Sequence, residues 1–230
     1  MKTVGIIGGI APESTIEYYR KIVASYLKRE ASGDYPQIII NSINMSKMLT
    51  LIGNGEFEAV SHYLAAEVEK LENAGAEFGV LASNTPHIVF NQVRALSQLP
   101  LISIVEVTGQ KIVDTGLEKV ALFGTKFTMQ GEFYTETLAR NGVEVITPDK
   151  VDQEFIHDKY MGELVKGIIM DQTRTGLIAV IDKMKEQSSI QGLILGGTEL
   201  PLILKPENVS GIHVFDTTEI HVESIMDALR

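Results

Sequence analysis

VLASNTPH at 80–87 and LILGGTEL at 193–200 are two versions of one local design, an apolar strand running into a turn of small and hydroxyl residues. They sit at matching places in a chain that repeats its own signals in order, and a repeat of this kind governs how every motif inside it is read. The first half runs from an apolar strand ending in glycines (Val4 to Gly9), through Val80–His87, to PLISIVEVT at 100–108. The second runs from VALFGTKFT at 120–128, through Leu193–Leu200, to IHVFDTTEI at 212–220. Gly8 and Gly124, Ser83 and Gly197, and Glu106 and Asp216 are 116, 114 and 110 residues apart, so the register of the duplication drifts by only a few positions.

Outward from these segments, β-rich runs alternate with helical spacing. Strands are predicted at Thr3–Ile7, Gln37–Asn41, Phe78–Leu81, Leu101–Ile104, Val120–Phe123, Val143–Ile146, Leu193–Leu195 and His213–Phe215. Between two of them Phe57, Val60, Leu64, Val68 and Leu71 fall at steps of three and four, one apolar stripe facing a sheet. Gly75 and Gly142 each stand just after a helical stretch and just before a strand, where glycine ends helices. The alternation reads as βα units on parallel sheets, an α/β fold of two pseudo-symmetric lobes from an internal duplication.

At 230 residues, 44% hydrophobic and 22% charged, the chain has enough apolar content for packed cores. A net charge of −10 with no stripe of Lys and Arg argues against nucleic acid as a partner. No apolar stretch approaches a membrane span, and MKTVGIIGG lacks the cleavage site of a signal peptide, which predicts a cytoplasmic protein with no membrane partner. There is no cysteine, so disulfides, thiolate metal sites and thiol catalysis are excluded. The five histidines are scattered, and His213 and His221, eight apart, have no ligand spacing, so no metal is expected.

In open parallel sheets ligands sit beyond the carboxyl ends of the strands, where backbone N–H groups face an anion. Here those ends are Gly8–Thr15, Asn41–Lys47, Ser83–His87, Glu106–Thr108, Gly124–Thr128, Gly197–Glu199 and Asp216–Thr218, rich in Ser, Thr, Asn and Gly. Each position alone is equally a helix N-cap; as a set they favour a small polar anion. Gly5, Gly8 and Gly9 do not make the dinucleotide fingerprint, and no phosphate loop is present, so no nucleotide cofactor is expected.

With these residues in place the chain resembles the aspartate/glutamate racemase family of cofactor-independent amino-acid racemases. GIIGGIAPESTIEYY at 5–19 looks like the family's opening glycine loop, SNTPH at 83–87 like its Cys-Asn-Thr-x-His segment, and GGTEL at 196–200 like its Gly-Cys-Thr-Glu segment. LFGTKFTMQGEFY at 122–134 and VFDTTEIH at 214–221 also have counterparts. The resemblance implies one lobe from 1–98 plus 208–230 and another from 99–207, the last strand and helix of each half crossing to the other lobe. It further implies an active-site cleft between the lobes, no cofactor, and a homodimer.

The resemblance also implies a pair of thiols, one removing the α-proton and the other returning one, because a base on one face regenerates the same enantiomer. This chain has Ser83 at the first thiol position and Gly197 at the second. A cysteine ionises at about 8.5 and a serine hydroxyl several units higher, so the alkoxide costs roughly 6 kcal/mol more. Glycine offers no group at all, and ordinary two-thiol racemisation is ruled out. The substitutes are His87, one turn beyond Ser83, and Glu199, two residues beyond Gly197. Each has an ordinary structural reading as well, His87 as a helix-start side chain bonded to backbone and Glu199 as a carboxylate at a helix N-terminus. The space left by Gly197 would admit a water or a bulkier ligand.

For binding, Lys47 and Lys166 resemble the places where aspartate-selective members put cations to read a side-chain carboxylate. The α-carboxylate would meet Ser83, Asn84, Thr85 and Thr198, the ammonium Glu13 or backbone carbonyls, and the glycine loop at Gly9 and Ile10 with Thr125 completes the candidate set. The expected ligand is a small acidic amino acid or a dicarboxylate. Two functions remain open: an enzyme of the isomerase or lyase kind acting from one side of the α-carbon, and a non-catalytic protein that senses a small acid.

Overall fold

The computed structural model describes residues 1–30, 33–209 and 211–230. The chain divides into two compact units, Met1–Ile104 with His221–Arg230, and Val105–Ile220.

In the first unit β1 (Val4–Gly8), α1 (Pro12–Arg29), β2 (Ile38–Ser42), α2 (Met45–Gly53), α3 (Phe57–Asn73), β3 (Phe78–Leu81), a 3-10 turn at Thr85–Val89, α4 (Phe90–Leu96) and β4 (Leu101–Ile102) follow in order. The strands form one all-parallel sheet, β2-β1-β3-β4. Every residue of β1 and β3 is buried, as central strands covered on both faces require, whereas the edge strand β2 is partly exposed. Val60, Leu64, Val68 and Leu71 of α3 are buried as their spacing predicts. Phe57 departs from the stripe: as the first residue of α3 it lies at the helix end and stays 42% exposed. Gly75 ends the helix at φ 98°, in the left-handed region that an L side chain rarely adopts.

The second unit repeats the pattern with α5 (Ile104–Asp114), β5 (Lys119–Gly124), α6 (Lys126–Gln130), α7 (Phe133–Ala139), β6 (Glu144–Ile146), α8 (Lys150–Gly162), a 3-10 turn at Leu164–Lys166, α9 (Asp171–Ser188), β7 (Gly192–Gly196), α10 (Leu200–Ile203) and β8 (His213–Asp216), and it includes the start of α11 (Thr217–Ala228). Its sheet is again all parallel, in the equivalent order β6-β5-β7-β8. Identical strand order in the two halves is the structural form of the duplication. All eight strands overlap the predicted ones; the run at 101–104 is cut short because Ile104 already begins α5.

The halves exchange helices and keep their strands. From Val105, α5 belongs to the second unit, where Gly109 approaches Leu138 of α7. From His221, α11 belongs to the first, where Val222, Ile225, Met226 and Leu229 share a core with Val4, Ile6, Tyr18 and Ile22. The expectation that the last strand crosses with its helix is corrected: β4 pairs with β3 and β8 with β7. A strand's backbone donors and acceptors must be met, and its own sheet already meets them.

Candidate functional site

The carboxyl ends of β1, β2 and β3 are drawn together by main-chain bonds in which Ile43 N–H donates to Gly8 C=O and Ala82 N–H to Ile7 C=O, both 2.9 Å. Gly9, at φ 79°, turns the chain out of β1, and its N–H donates to Thr15 Oγ1 at 2.8 Å. A Cβ there would meet the backbone of Ile43 at 2.5 Å. Ile10 is buried beside it, and Glu13 lies exposed in the first turn of α1. Ser14 Oγ donates to Ala82 C=O at 2.5 Å, tying that turn to the residue before Ser83.

Ser83, Asn84, Thr85 and His87 follow in one buried turn. Nδ1–H of His87 donates to Ser83 C=O at 3.0 Å, and Nε2 accepts Ile104 N–H at 3.3 Å. This pattern needs the neutral Nδ1–H tautomer. Burial first, and then the neighbouring His221, pushes the ring's pKa down to about 3. His87 has neither a spare lone pair nor a spare N–H to offer a ligand, and no way to activate the Ser83 hydroxyl. Its structural reading is the one the geometry favours.

Lys47 sits in the first turn of α2, which Asn44 caps by accepting Lys47 N–H at 3.1 Å. The exposed ammonium rests 4.2 Å from the centre of the Tyr63 ring, and Tyr63 Oη accepts Asn44 N–H at 3.2 Å. Tyr63 therefore holds both the cap and the charge at the end of β2. It was missed in the sequence, where it lies on α3 between stripe positions and only its spacing from Lys47 in three dimensions reveals it.

In the second unit the ends of β5 and β7 are neighbours, Gly124 beside Gly196. Thr125 caps α6, its Oγ1 accepting Thr128 N–H at 3.2 Å. Gly197, Thr198 and Glu199 leave β7 as a buried turn, with Glu199 only 2% exposed. Glu199 Oε2 accepts the Thr198 hydroxyl at 2.8 Å and the hydroxyl of Tyr160, from α8. Burial, and after it the charge of Glu199, raise the Tyr160 pKa well above its usual 10. The phenol thus keeps its proton and donates it to the carboxylate.

Tyr160 also overturns the idea of empty space at Gly197. A Cβ at 197 would lie 2.9 Å from both Cζ and Oη of Tyr160, and closer still to Cε2. The ring fills the place. Tyr160 was missed because its spacing on α8, with Gln153 and Ile156, reads as ordinary core. Lys166 stands exposed on the 3-10 turn after α8. Asp216 caps α11 through bonds from Thr218 N–H (2.9 Å) and Glu219 N–H (3.1 Å), and Glu106 is exposed in the first turn of α5.

A sequence model of the Asp/Glu/hydantoin racemase family matches residues 7–225. The chain belongs to that family. It is 36% identical to a Yersinia pestis protein whose crystal structure is ascribed to an Asp/Glu racemase, covering all of this chain and 99% of that one with a TM-score of 0.90. It is equally identical, at the same coverage and a TM-score of 0.85, to an aspartate racemase homologue from Pyrococcus horikoshii. The broad specificity amino-acid racemase RacX of Bacillus subtilis shares 28% identity over 65% of this chain and 66% of its own length. Within that family this chain carries no cysteine. No helix among the described residues is long and apolar enough to cross a membrane.

Proposed function

We propose that the protein binds a small acidic amino acid or dicarboxylate at its strand-end loops and does not racemise it by a thiol pair. One observation carries the reading: the family's framework is kept over residues 7–225 while Ser83 and Gly197 stand where the resemblance places the two thiols. In the first unit the ligand's α-carboxylate meets Asn84, Thr85 and the N–H group of Ile10, where Gly9 turns the chain out of β1, its ammonium meets Glu13, and the cation of Lys47 reads a side-chain carboxylate. In the second unit Thr125, Thr198 and Lys166 play the corresponding parts. The same reading makes the protein a cofactor-free cytoplasmic homodimer.

Ser83 has no activating base, since His87 is engaged by backbone through both nitrogens. That favours either a sensor of small acids or an enzyme working from one side of the α-carbon. Calorimetry with L- and D-aspartate and L- and D-glutamate tests the binding reading. Saturable binding that weakens several-fold in Lys47→Ala or Lys166→Ala is expected; no binding of any of the four would overturn it.

A further inference from the structure

We infer that His157 is a positioning residue for the second unit's part of the ligand site: neutral, it holds the turn after β5 that carries Thr125, and protonated it lets that turn go, so that ligand binding is gated by pH. The inference rests on the binding reading above and adds regulation to it. Every residue it uses, from Thr125 to Thr198, belongs to the second unit. It starts from α6, which begins directly after Thr125 and, at five residues, is too short to hold itself in place. The N–H groups of a helix's first turn have no acceptor within the helix. Thr125 Oγ1 meets that of Thr128, and the N–H of Lys126 is met from another helix, donating to His157 Nδ1 at 3.2 Å.

One turn earlier on α8, Gln153 Oε1 accepts Gln130 Nε2 at 3.0 Å, and Gln153 Nε2 is itself tied to Pro148 C=O at 2.8 Å. His157 and Gln153 on α8 thus meet Lys126 and Gln130 on α6, equal steps of four taken in opposite directions, and α8 grips α6 at both ends. The same helix carries Tyr160, whose ring backs the turn at Gly197 next to Thr198. It therefore supports both strand ends, and His157 is the link in that support whose charge changes near neutral pH. The bond to Lys126 requires the Nε2–H tautomer, with the Nδ1 lone pair turned to the backbone. Protonation at Nδ1 removes the lone pair and sets two N–H groups against each other. The charges that face the ring are the Lys126 ammonium from α6 and the Asp158 carboxylate from α8, and the Phe127 ring stands roughly perpendicular with its centre 6.4 Å away. Burial is the largest influence and lowers the pKa of His157 below its usual 6.5; Asp158 opposes it and Lys126 adds to it. The hold on Lys126 is therefore intact at pH 7 and is lost as pH falls below 6.5.

The test follows the full chain from about pH 7.5 to about pH 5, where an imidazole titrates, by hydrogen exchange of the Lys126 N–H in NMR and by calorimetry with each enantiomer of aspartate and glutamate. As His157 takes up its proton, read from its own ring signals, protection of the Lys126 N–H should fall about tenfold, as for a donor left without its partner. The affinity of whichever probe binds should fall in parallel. His157→Asn, whose side-chain carbonyl can accept the same N–H and takes up no proton, should remove the pH dependence of both signals, whereas His157→Leu should show the low-pH behaviour already at pH 7. Protection of Lys126 that ignores the titration of His157, or a pH dependence that persists in His157→Asn, would overturn the inference. Affinity that stays level while protection falls would overturn it too, since the turn would then not serve the ligand, and would leave the binding reading standing. Failure to bind any of the four would overturn the binding reading and the gating with it, while the Lys126 signal would still decide whether His157 holds the turn.

Discussion

Tyr160 and Gly197 share one space: the aromatic ring on α8 lies where a side chain on the turn after β7 would have to go. Neither residue can be altered without reference to the other.

Gly197→Ala is therefore an overpacking substitution and should cost about 1–3 kcal/mol. For a chain of this size that is a fall in melting temperature of roughly 2–10 °C. In a Tyr160→Leu background the same alanine should cost clearly less, because residues in contact are not additive. Equal costs in the two backgrounds, measured by thermal unfolding, would mean that the ring does not set the limit at 197.

Placing a single thiol at the first position should not create a racemase. Ser83→Cys supplies a nucleophilic sulfur, but Gly197 supplies no partner and Tyr160 occupies its place. Chiral chromatography after prolonged incubation with L-aspartate should find no D-aspartate; its appearance would show that one thiol suffices here.

Acid should weaken the first unit through two histidines. Burial holds His87 at about 3 and His221 at about 4, both below the usual 6.5. The unfolded chain takes up protons on these rings as pH falls through 6.5, while the folded chain does not until about 3 to 4, so stability is present at pH 7 and is lost across that window. Each ring contributes about 2 kcal/mol of loss between pH 6.5 and 5. Urea unfolding at the two pH values measures it, and His87→Gln should remove about half of the difference. A stability that does not change over this range would contradict the buried, neutral assignment.

Tyr18 and His221 form a buried bond of 2.7 Å between α1 and α11, with His221 Nε2–H donating to Ile102 C=O at 3.1 Å. That fixes Nδ1 as the acceptor of the phenol. Tyr18→Phe leaves Nδ1 without its donor at little cost in volume and should destabilise by about 1–3 kcal/mol. Chemical denaturation reads this, and a change below about 0.5 kcal/mol would show that solvent or another group replaces the phenol.

Tyr63 should matter to ligand affinity through Lys47. An exposed cation over an aromatic ring is held by about 0.5–1 kcal/mol, so Tyr63→Leu should weaken aspartate binding by roughly two- to fivefold. Calorimetry would show this. Unchanged affinity in Tyr63→Leu, alongside a loss in Lys47→Ala, would show that the lysine needs no platform.

Much of the fold was open to reading in one dimension because its signals are local and repeated. Unbroken apolar runs such as VGIIG and GLILG mark strands buried on both faces, the stripe Val60, Leu64, Val68 and Leu71 marks a helix on a sheet, and Gly75 marks its end. The same order of signals in both halves determined two parallel sheets of equivalent topology. The residues of the candidate site were legible only as positions on loops, and their absent thiols only as letters.

What those residues do was decided in three dimensions. The sequence puts His87 four residues from Ser83 but not against Ile104, whose N–H completes its engagement. It puts Glu199 two residues from Gly197 but not beside Tyr160, thirty-nine positions earlier in the chain. That the last helix of each half joins the other unit came from the family resemblance and not from local pattern, since α5 and α11 have apolar faces that any sheet could cover. Local pattern determines strands, helices and their alternation because backbone geometry repeats every two or 3.6 residues. The protonation state, partner and reach of a side chain depend on which distant residues fold against it, and that only the packed structure supplies.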